Sequence, residues 1–194
     1  MSYNEQTGRC IIFSAPSGAG KTTLVRHILK VRGDLAFSVS ATSRSPRGDE
    51  KEGVDYYYLT PDAFRTQIDA DAFVEWEEVY RDQYYGTLKA EISRIWANQQ
   101  HVVFDVDVEG GVNLKRVFGD HALSIFVQPP SLETLESRLR ARGTESEANI
   151  AKRMAKAERE LGYADRFDHI LVNDDLERAK QEVVDLVERY LSQP

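Results

Sequence analysis

The chain has 194 residues, 41% of them apolar, which suits one compact domain with a full core and excludes a multidomain assembly. Lys and Arg number 25 against 32 Asp and Glu, a formal charge of −7, so a protein that coats nucleic acid is excluded and anionic partners must meet local basic clusters. One cysteine, Cys10, four scattered histidines, no membrane-length apolar run and no signal-like core in Met1–Arg9 exclude a disulfide framework and a cysteine zinc site, and predict a soluble, cytoplasmic protein.

The first element is an apolar strand, Cys10–Phe13, followed by a small-residue turn and an amphipathic helix carrying Leu24, Val25, Ile28 and Leu29. Phe37–Ala41 reads as a second buried strand. From about Ser43 to Gly86 the alternation of strand and helix becomes irregular; Thr60-Pro61 caps a helix with Phe64 and Ile68. Between Asp49 and Glu91 stand twelve acidic and four basic residues, so the acidity of the chain is concentrated in this stretch. A helix with Leu88, Ile92, Ile95 and Trp96 follows, then strands Val102–Val106 and Leu123–Val127.

Pro129-Pro130 opens a second addition with two helix patterns, Leu132/Leu135/Leu139 and Ile150/Met154/Ala157/Leu161, hinged around Arg142-Gly143-Thr144. Thr144 and Glu147 read as a capping box for the second helix. With Arg138, Arg140, Arg142, Lys152 and Arg153 along it, this hairpin predicts a lid over an anionic ligand. Strand Ile170–Val172 and helix Leu176–Leu191, with Val183, Val187 and Leu191 on one stripe, complete the chain. Five strand runs alternating with helices predict an α/β fold with a parallel sheet flanked by helices.

The turn after the first strand carries the strongest local motif: Ala15, Pro16, Ser17, Gly18, Ala19, Gly20, Lys21, Thr22, then Thr23. Small residues let backbone N–H groups turn inward as an anion nest, and the following helix adds its positive end. Lys21 is placed to reach the β- and γ-phosphates of a nucleotide, and the Thr22 hydroxyl to ligate Mg²⁺. Ala15 stands where the first glycine of the usual pattern would be, and alanine forbids only conformations with φ well above zero. NTPases, small-molecule kinases and regulatory switches share such a loop.

After the second strand come Ser40-Ala41-Thr42-Ser43-Arg44-Ser45-Pro46-Arg47 and Gly53-Val54-Asp55-Tyr56. Arg44 and Arg47, three apart across a rigidifying proline, can clamp one phosphate, with Tyr56 as a third donor. A solvated basic turn is the alternative at this point.

With Phe73-Val74-Glu75-Trp76, Tyr84-Tyr85-Gly86-Thr87, Val103-Phe104-Asp105-Val106-Asp107, Arg142–Glu145 and Asn173-Asp174-Asp175 in order, nearly the whole chain resembles the guanylate kinases, P-loop kinases that phosphorylate GMP with ATP. The resemblance implies one domain with a core at about 8–42, 86–128 and 164–194, a GMP-binding insertion at about 43–85 and a lid at about 129–163. It implies that Arg44, Arg47, Tyr56 and Tyr85 hold the GMP phosphate, and that Ser40, Glu75, Thr87 and Asp107 surround guanine. A carboxylate such as Glu75 can accept guanine's N1–H and 2-amino donors together, whereas adenine offers an acceptor at N1.

The resemblance further implies that Arg142 and Arg153 approach the transferring phosphoryl group, that Arg138 assists near ATP and that Asn173 contacts adenine. Lys21, Arg44, Arg142 and Arg153 are thus the expected catalytic set, with ATP and GMP as partners and Mg²⁺ as cofactor. Asp105 and Asp107 share a strand face at its C-terminal end; Asp105 can orient Mg²⁺-bound water and Asp107 guanine or ribose, with helix capping as the structural alternative. Glu109 stands where many relatives carry glutamine. Two other classes share parts of this pattern: noncatalytic guanylate-kinase-like scaffold modules that bind phosphopeptides, and P-loop kinases acting on another phosphate-bearing acceptor such as a sugar bisphosphate.

Overall fold

The computed structural model describes residues 8–141 and 146–193. Its centre is a five-stranded parallel sheet formed by β1 (Cys10–Ser14), β2 (Leu35–Phe37), β7 (His101–Asp105), β8 (Ala122–Gln128) and β9 (His169–Val172), in the spatial order β2-β7-β1-β8-β9. Alternation of side chains divides β1 between two cores, which is why its run is apolar throughout. Ile11 and Phe13 pack under α1 (Lys21–Val31) and α7 (Leu176–Leu191), against Leu24, Ile28, Val183 and Val187. Cys10 and Ile12 pack on the opposite side, with Ile92 and Ile95 of α3 (Lys89–Ala97) and Leu114 and Phe118 of α4 (Val108–Phe118). Each such fully buried side chain contributes about 1.5–3 kcal/mol, so these layers hold the loop ends in place.

A second, four-stranded sheet runs in the order β4-β3-β6-β5, from β3 (Ala41–Thr42), β4 (Tyr57–Tyr58), β5 (Phe73–Tyr80) and β6 (Gln83–Leu88). The expected strand Phe37–Ala41 is therefore corrected: β2 ends at Phe37, and Ala41 already belongs to the other sheet. Both ends of that run are apolar because each enters a different core. Helix α2 (Pro61–Asp69) closes this sheet, with Phe64 stacked on Phe73 and Tyr84 at 4.4 and 5.3 Å, and Thr60 caps it by accepting from the Ala63 N–H.

The remaining helices, α5 (Leu132–Ala141) and α6 (Glu147–Leu161), pack through Leu135, Leu139, Met154 and Ala157. Helix α6 is capped by Ser146, which accepts from the Asn149 N–H, so the cap falls two residues after the expected Thr144. Arg142, Gly143, Thr144 and Glu145 lie outside the described residues. Helix α4, which the sequence pattern does not signal, contains Gly110-Gly111; a Cβ at Gly111 would lie 2.3 Å from Ser14 Oγ and 3.0 Å from Phe167. Among the described residues no helix is long and apolar enough to cross a membrane.

Candidate active site

Strands β1 and β7 are neighbours, yet the helices that follow them, α1 and α4, lie on opposite faces of the sheet. That divergence opens a crevice at the carboxyl ends of the strands, where open α/β sheets bind ligands. A cleft of about 330 Å³ occupies it, lined by Ala15–Gly18, Gly20–Thr23, Asp105, Asp107, Lys156 and Glu160. A wider hollow at the end of α7 is lined by Asp185, Glu188, Arg189, Ser192 and Gln193 and touches none of these groups.

The loop between β1 and α1 turns on Gly18 and Gly20, both with φ near +100°. Gly20 is required twice over, since a Cβ there would also lie 2.2 Å from Asn173 Nδ2. Asn173 is buried at the end of β9 and donates from Nδ2 to Ala19 O at 2.8 Å, while its own carbonyl accepts from Arg138 Nη2 at 2.9 Å. It supports the loop from behind, and Arg138 is tied to the same point. Lys21 Nζ donates to Val106 O at 2.5 Å and pairs with Asp105 Oδ1 at 2.6 Å; Thr22 Oγ1 donates to Asp105 Oδ2 at 3.2 Å. From α6, Arg153 Nη1 donates to Ser17 Oγ at 2.7 Å, so both helices of the hairpin reach the loop or its support.

On the second sheet, β5 and β6 pair Glu75 with Thr87 and Glu77 with Tyr85, which puts these four side chains on one face. Gly86 permits the approach: a Cβ there would lie 2.8 Å from Glu75 O and 2.9 Å from Trp76 Cβ. Thr87 Oγ1 donates to Glu75 Oε1 at 2.7 Å. Burial, with Asp107 and Glu77 nearby, pushes the Glu75 carboxyl up to about 7 against the opposing Thr87 hydrogen bond. Glu77 is likewise pushed up to about 7, by burial and then by Asp107 and Glu109, with Lys156 opposing. Asp107 caps α4, its Oδ1 accepting from the Gly110 N–H at 2.8 Å, so the capping alternative holds for that oxygen.

Beside this face, Arg44 Nε donates to Tyr85 Oη at 3.1 Å, and its guanidinium lies 4.9 Å over the Tyr56 ring, which meets Tyr85 edge-on at 6.0 Å. Arg47 is exposed on the same turn. Ser40 stands at the entry to β3, its carbonyl accepting from the Tyr57 N–H at 2.9 Å.

Sequence reasoning missed four groups, one of them Glu77, which shares the face of Glu75 two residues before it. Glu50 accepts a bidentate pair from Arg44, at 2.6 and 2.8 Å. Lys156 and Glu160 follow Arg153 at three and seven residues on α6, a helical spacing that marks one face and would have found them. Glu160 is only 6% exposed; burial raises its pKa, with Lys156 and Lys21 opposing and Asp107 adding.

A family model described as Guanylate kinase matches residues 7–190. A guanylate kinase of Bacteroides thetaiotaomicron is 52% identical over 192 residues, covering 99% of this chain and 94% of that protein. One of Porphyromonas gingivalis is 50% identical over 185 residues, covering 95% and 98%. In fold, the crystal structure of guanylate kinase from Anaplasma phagocytophilum matches with a TM-score of 0.74 over 97% of this chain and 89% of that one, at 24% identity.

Proposed function

Because the chain belongs to the guanylate kinase family, it is a nucleoside monophosphate kinase that phosphorylates GMP, and we propose how its residues divide that work. The single observation that carries the assignment of the donor site is the convergence of Lys21, Thr22 and Asp105 at the mouth of a glycine-turned loop on a helix start. ATP phosphates bind in the loop Ala15–Thr23 at the N–H groups of Gly18, Gly20, Lys21 and Thr22, Pro16 having none and those of Ala19 and Thr23 being on Pro16 O and Gly20 O, with the Lys21 ammonium on the β- and γ-phosphates. Asn173 and Arg138 serve ATP by holding that loop and the nucleotide's outer edge. The Thr22 and Asp105 oxygens, 3.2 Å apart, suit a hard, hydrated cation, Thr22 binding directly and Asp105 through water. Held there with the nucleotide, Mg²⁺ would supply charge neutralisation at the phosphates.

GMP lies across the insertion at 43–85 and the following Thr87. Its phosphate takes hydrogen bonds from Arg44, Arg47, Tyr56 and Tyr85; its base faces Ser40, Glu75, Thr87 and Asp107. The Glu75–Thr87 hydrogen bond supports this reading, because it fixes one carboxylate oxygen and orients the other. Transfer then needs alignment and charge stabilisation more than a general base, since the phosphoryl charge spreads over its oxygens. Arg142 and Arg153, carried by a lid at 129–163, supply it on closure.

A panel of nucleoside monophosphates assayed with ATP and Mg²⁺ tests the whole reading. GMP should turn over far faster than AMP, CMP or UMP, giving GDP and ADP. Absence of turnover with any of them would favour a phosphopeptide-binding module instead.

The lid assignment has its own test. Arg153→Ala should lower kcat at saturating GMP by about 10- to 1000-fold, with GMP affinity changed less than about threefold. Loss of GMP binding at normal kcat would move Arg153 to the acceptor site.

A further inference from the structure

Arg44, assigned above to the GMP phosphate, is already engaged. Of its five N–H donors, Nε is on Tyr85 Oη, one Nη1 hydrogen is on Ser45 O at 3.0 Å, and one hydrogen each of Nη1 and Nη2 is on Glu50. Four are committed, and one Nη2 hydrogen remains.

Glu50 is equally complete. Its Oε1 accepts from Arg44 Nη2; its Oε2 accepts from Arg44 Nη1, from the Arg47 N–H at 2.8 Å and from Tyr58 Oη at 2.9 Å. These contacts join three segments of the acceptor side: Arg44, the turn carrying Arg47, and β4. The Glu50 N–H also donates to Arg47 O at 3.1 Å, closing the turn on itself.

From this geometry we infer that Glu50 is a positioning residue of the acceptor-phosphate site: it holds Arg44 with a single edge hydrogen turned to the phosphate and fixes the turn that presents Arg47. The inference rests on the assignment of Arg44, Arg47, Tyr56 and Tyr85 to that phosphate. Two features argue for positioning over simple repulsion of the ligand. The carboxylate is held well below its ordinary range, down to about 2, first by Arg44 and then by the Arg47 N–H, so its charge is answered within the pair. The Arg47 guanidinium makes no side-chain ion pair or hydrogen bond among the described residues and so keeps its positive charge for the ligand. An arginine locked at four donors also has little rotameric freedom left to lose on binding.

Glu50→Gln tests it, because the amide keeps the size but puts a donor where Arg44, Arg47 N–H and Tyr58 all require acceptors. The KM for GMP should rise about tenfold or more, with kcat at saturation within about threefold and the KM for ATP unchanged. In an Arg44→Ala background, the same change should cost clearly less than in the parent, only the part that acts through the Arg47 turn remaining. Tyr58→Phe, which removes one support without touching charge, should raise the GMP KM a few-fold, and it decides the matter if Glu50→Gln does not fold. A lower GMP KM in Glu50→Gln would make the carboxylate an opponent of the phosphate and overturn the inference. So would equal losses for ATP and GMP, or full additivity with Arg44→Ala. An Arg44→Ala variant with normal GMP kinetics would overturn the acceptor-site assignment itself, and this inference with it.

Discussion

Replacing Lys21 by Met should reduce phosphoryl transfer by about 10³-fold or more, with the fold retained. The ammonium is one of the few positive charges lining the cleft, and it stands at the loop mouth, where phosphate oxygens must gather charge. Its present partners, the Val106 carbonyl and the Asp105 carboxylate, are both at the carboxyl end of β7, and Lys21 itself belongs to neither of the two main core layers. Met keeps most of the stem and its packing, so stability should change by no more than about 1–2 kcal/mol, the range of a partly exposed ion pair with one lost hydrogen bond. Thr22 still donates to Asp105 in the variant, which limits the disturbance of that carboxylate. Steady-state assays over a range of ATP concentrations, with a thermal melt as control, measure both halves. Wild-type turnover would remove Lys21 from the mechanism, and a collapsed melt would assign it to the fold.

The loop was legible in the sequence because its chemistry is local: Gly18, Gly20, Lys21 and Thr22 act within one turn, between a strand and a helix whose periods are unmistakable. Strand β5 was hidden for the opposite reason. Its interior alternates Glu75 and Glu77 with Trp76 and Glu78, so the face carrying Glu75 and Glu77 reads as polar and no simple hydrophobic alternation survives. Helix α4 was hidden by Gly110-Gly111, which lower helix propensity but are demanded by Ser14 and Phe167 beneath them. The run Phe37–Ala41 was misjudged because period alone does not tell that a chain leaves one sheet and joins another between Phe37 and Ala41. Glu50 was passed over as one acid among twelve; only the folded turn brings its carboxylate onto Arg44.

An acidic protein that handles phosphates must answer its own charges where they bind, and the cleft does so in pairs, Lys21 with Asp105 and Lys156 with Glu160. Lys21, Lys156 and Arg153 reach into or beside the loop end, where ATP phosphates are proposed to bind. Glu75 and Glu77 stand together beside Asp107, and burial first, then Asp107, raises the proton affinity of both glutamates. On the proposed acceptor site, that acidic cluster would disfavour a phosphate or a base with clustered acceptors beside it, and so orient GMP.

The acidic end gives the most discriminating expectation. Glu75→Gln should lower kcat/KM for GMP by about 30- to 1000-fold, or about 2–4 kcal/mol, and lower the poor activity with AMP much less. Thr87 already occupies Oε1, so guanine's paired donors need the charge and the second oxygen; an amide offers a donor there instead. Proton linkage sharpens the test. With its carboxyl pushed from 4.5 to about 7, Glu75 is partly protonated in the free protein near neutrality, and guanine favours the ionised form. The GMP KM should therefore fall as pH rises through about 7, and Glu75→Gln should remove most of that fall, leaving the part due to Glu77. Stability runs the other way. A carboxyl whose pKa is raised by folding supports the fold fully below about pH 4.5 and loses that support as pH rises through about 7, so the variant's melting temperature should gain on the parent's over that interval. The measurements are kcat/KM for GMP and AMP in both proteins across that pH range, with paired thermal melts. Equal losses for the two nucleotides would assign Glu75 to structure, and unchanged GMP kinetics would remove it from the base pocket.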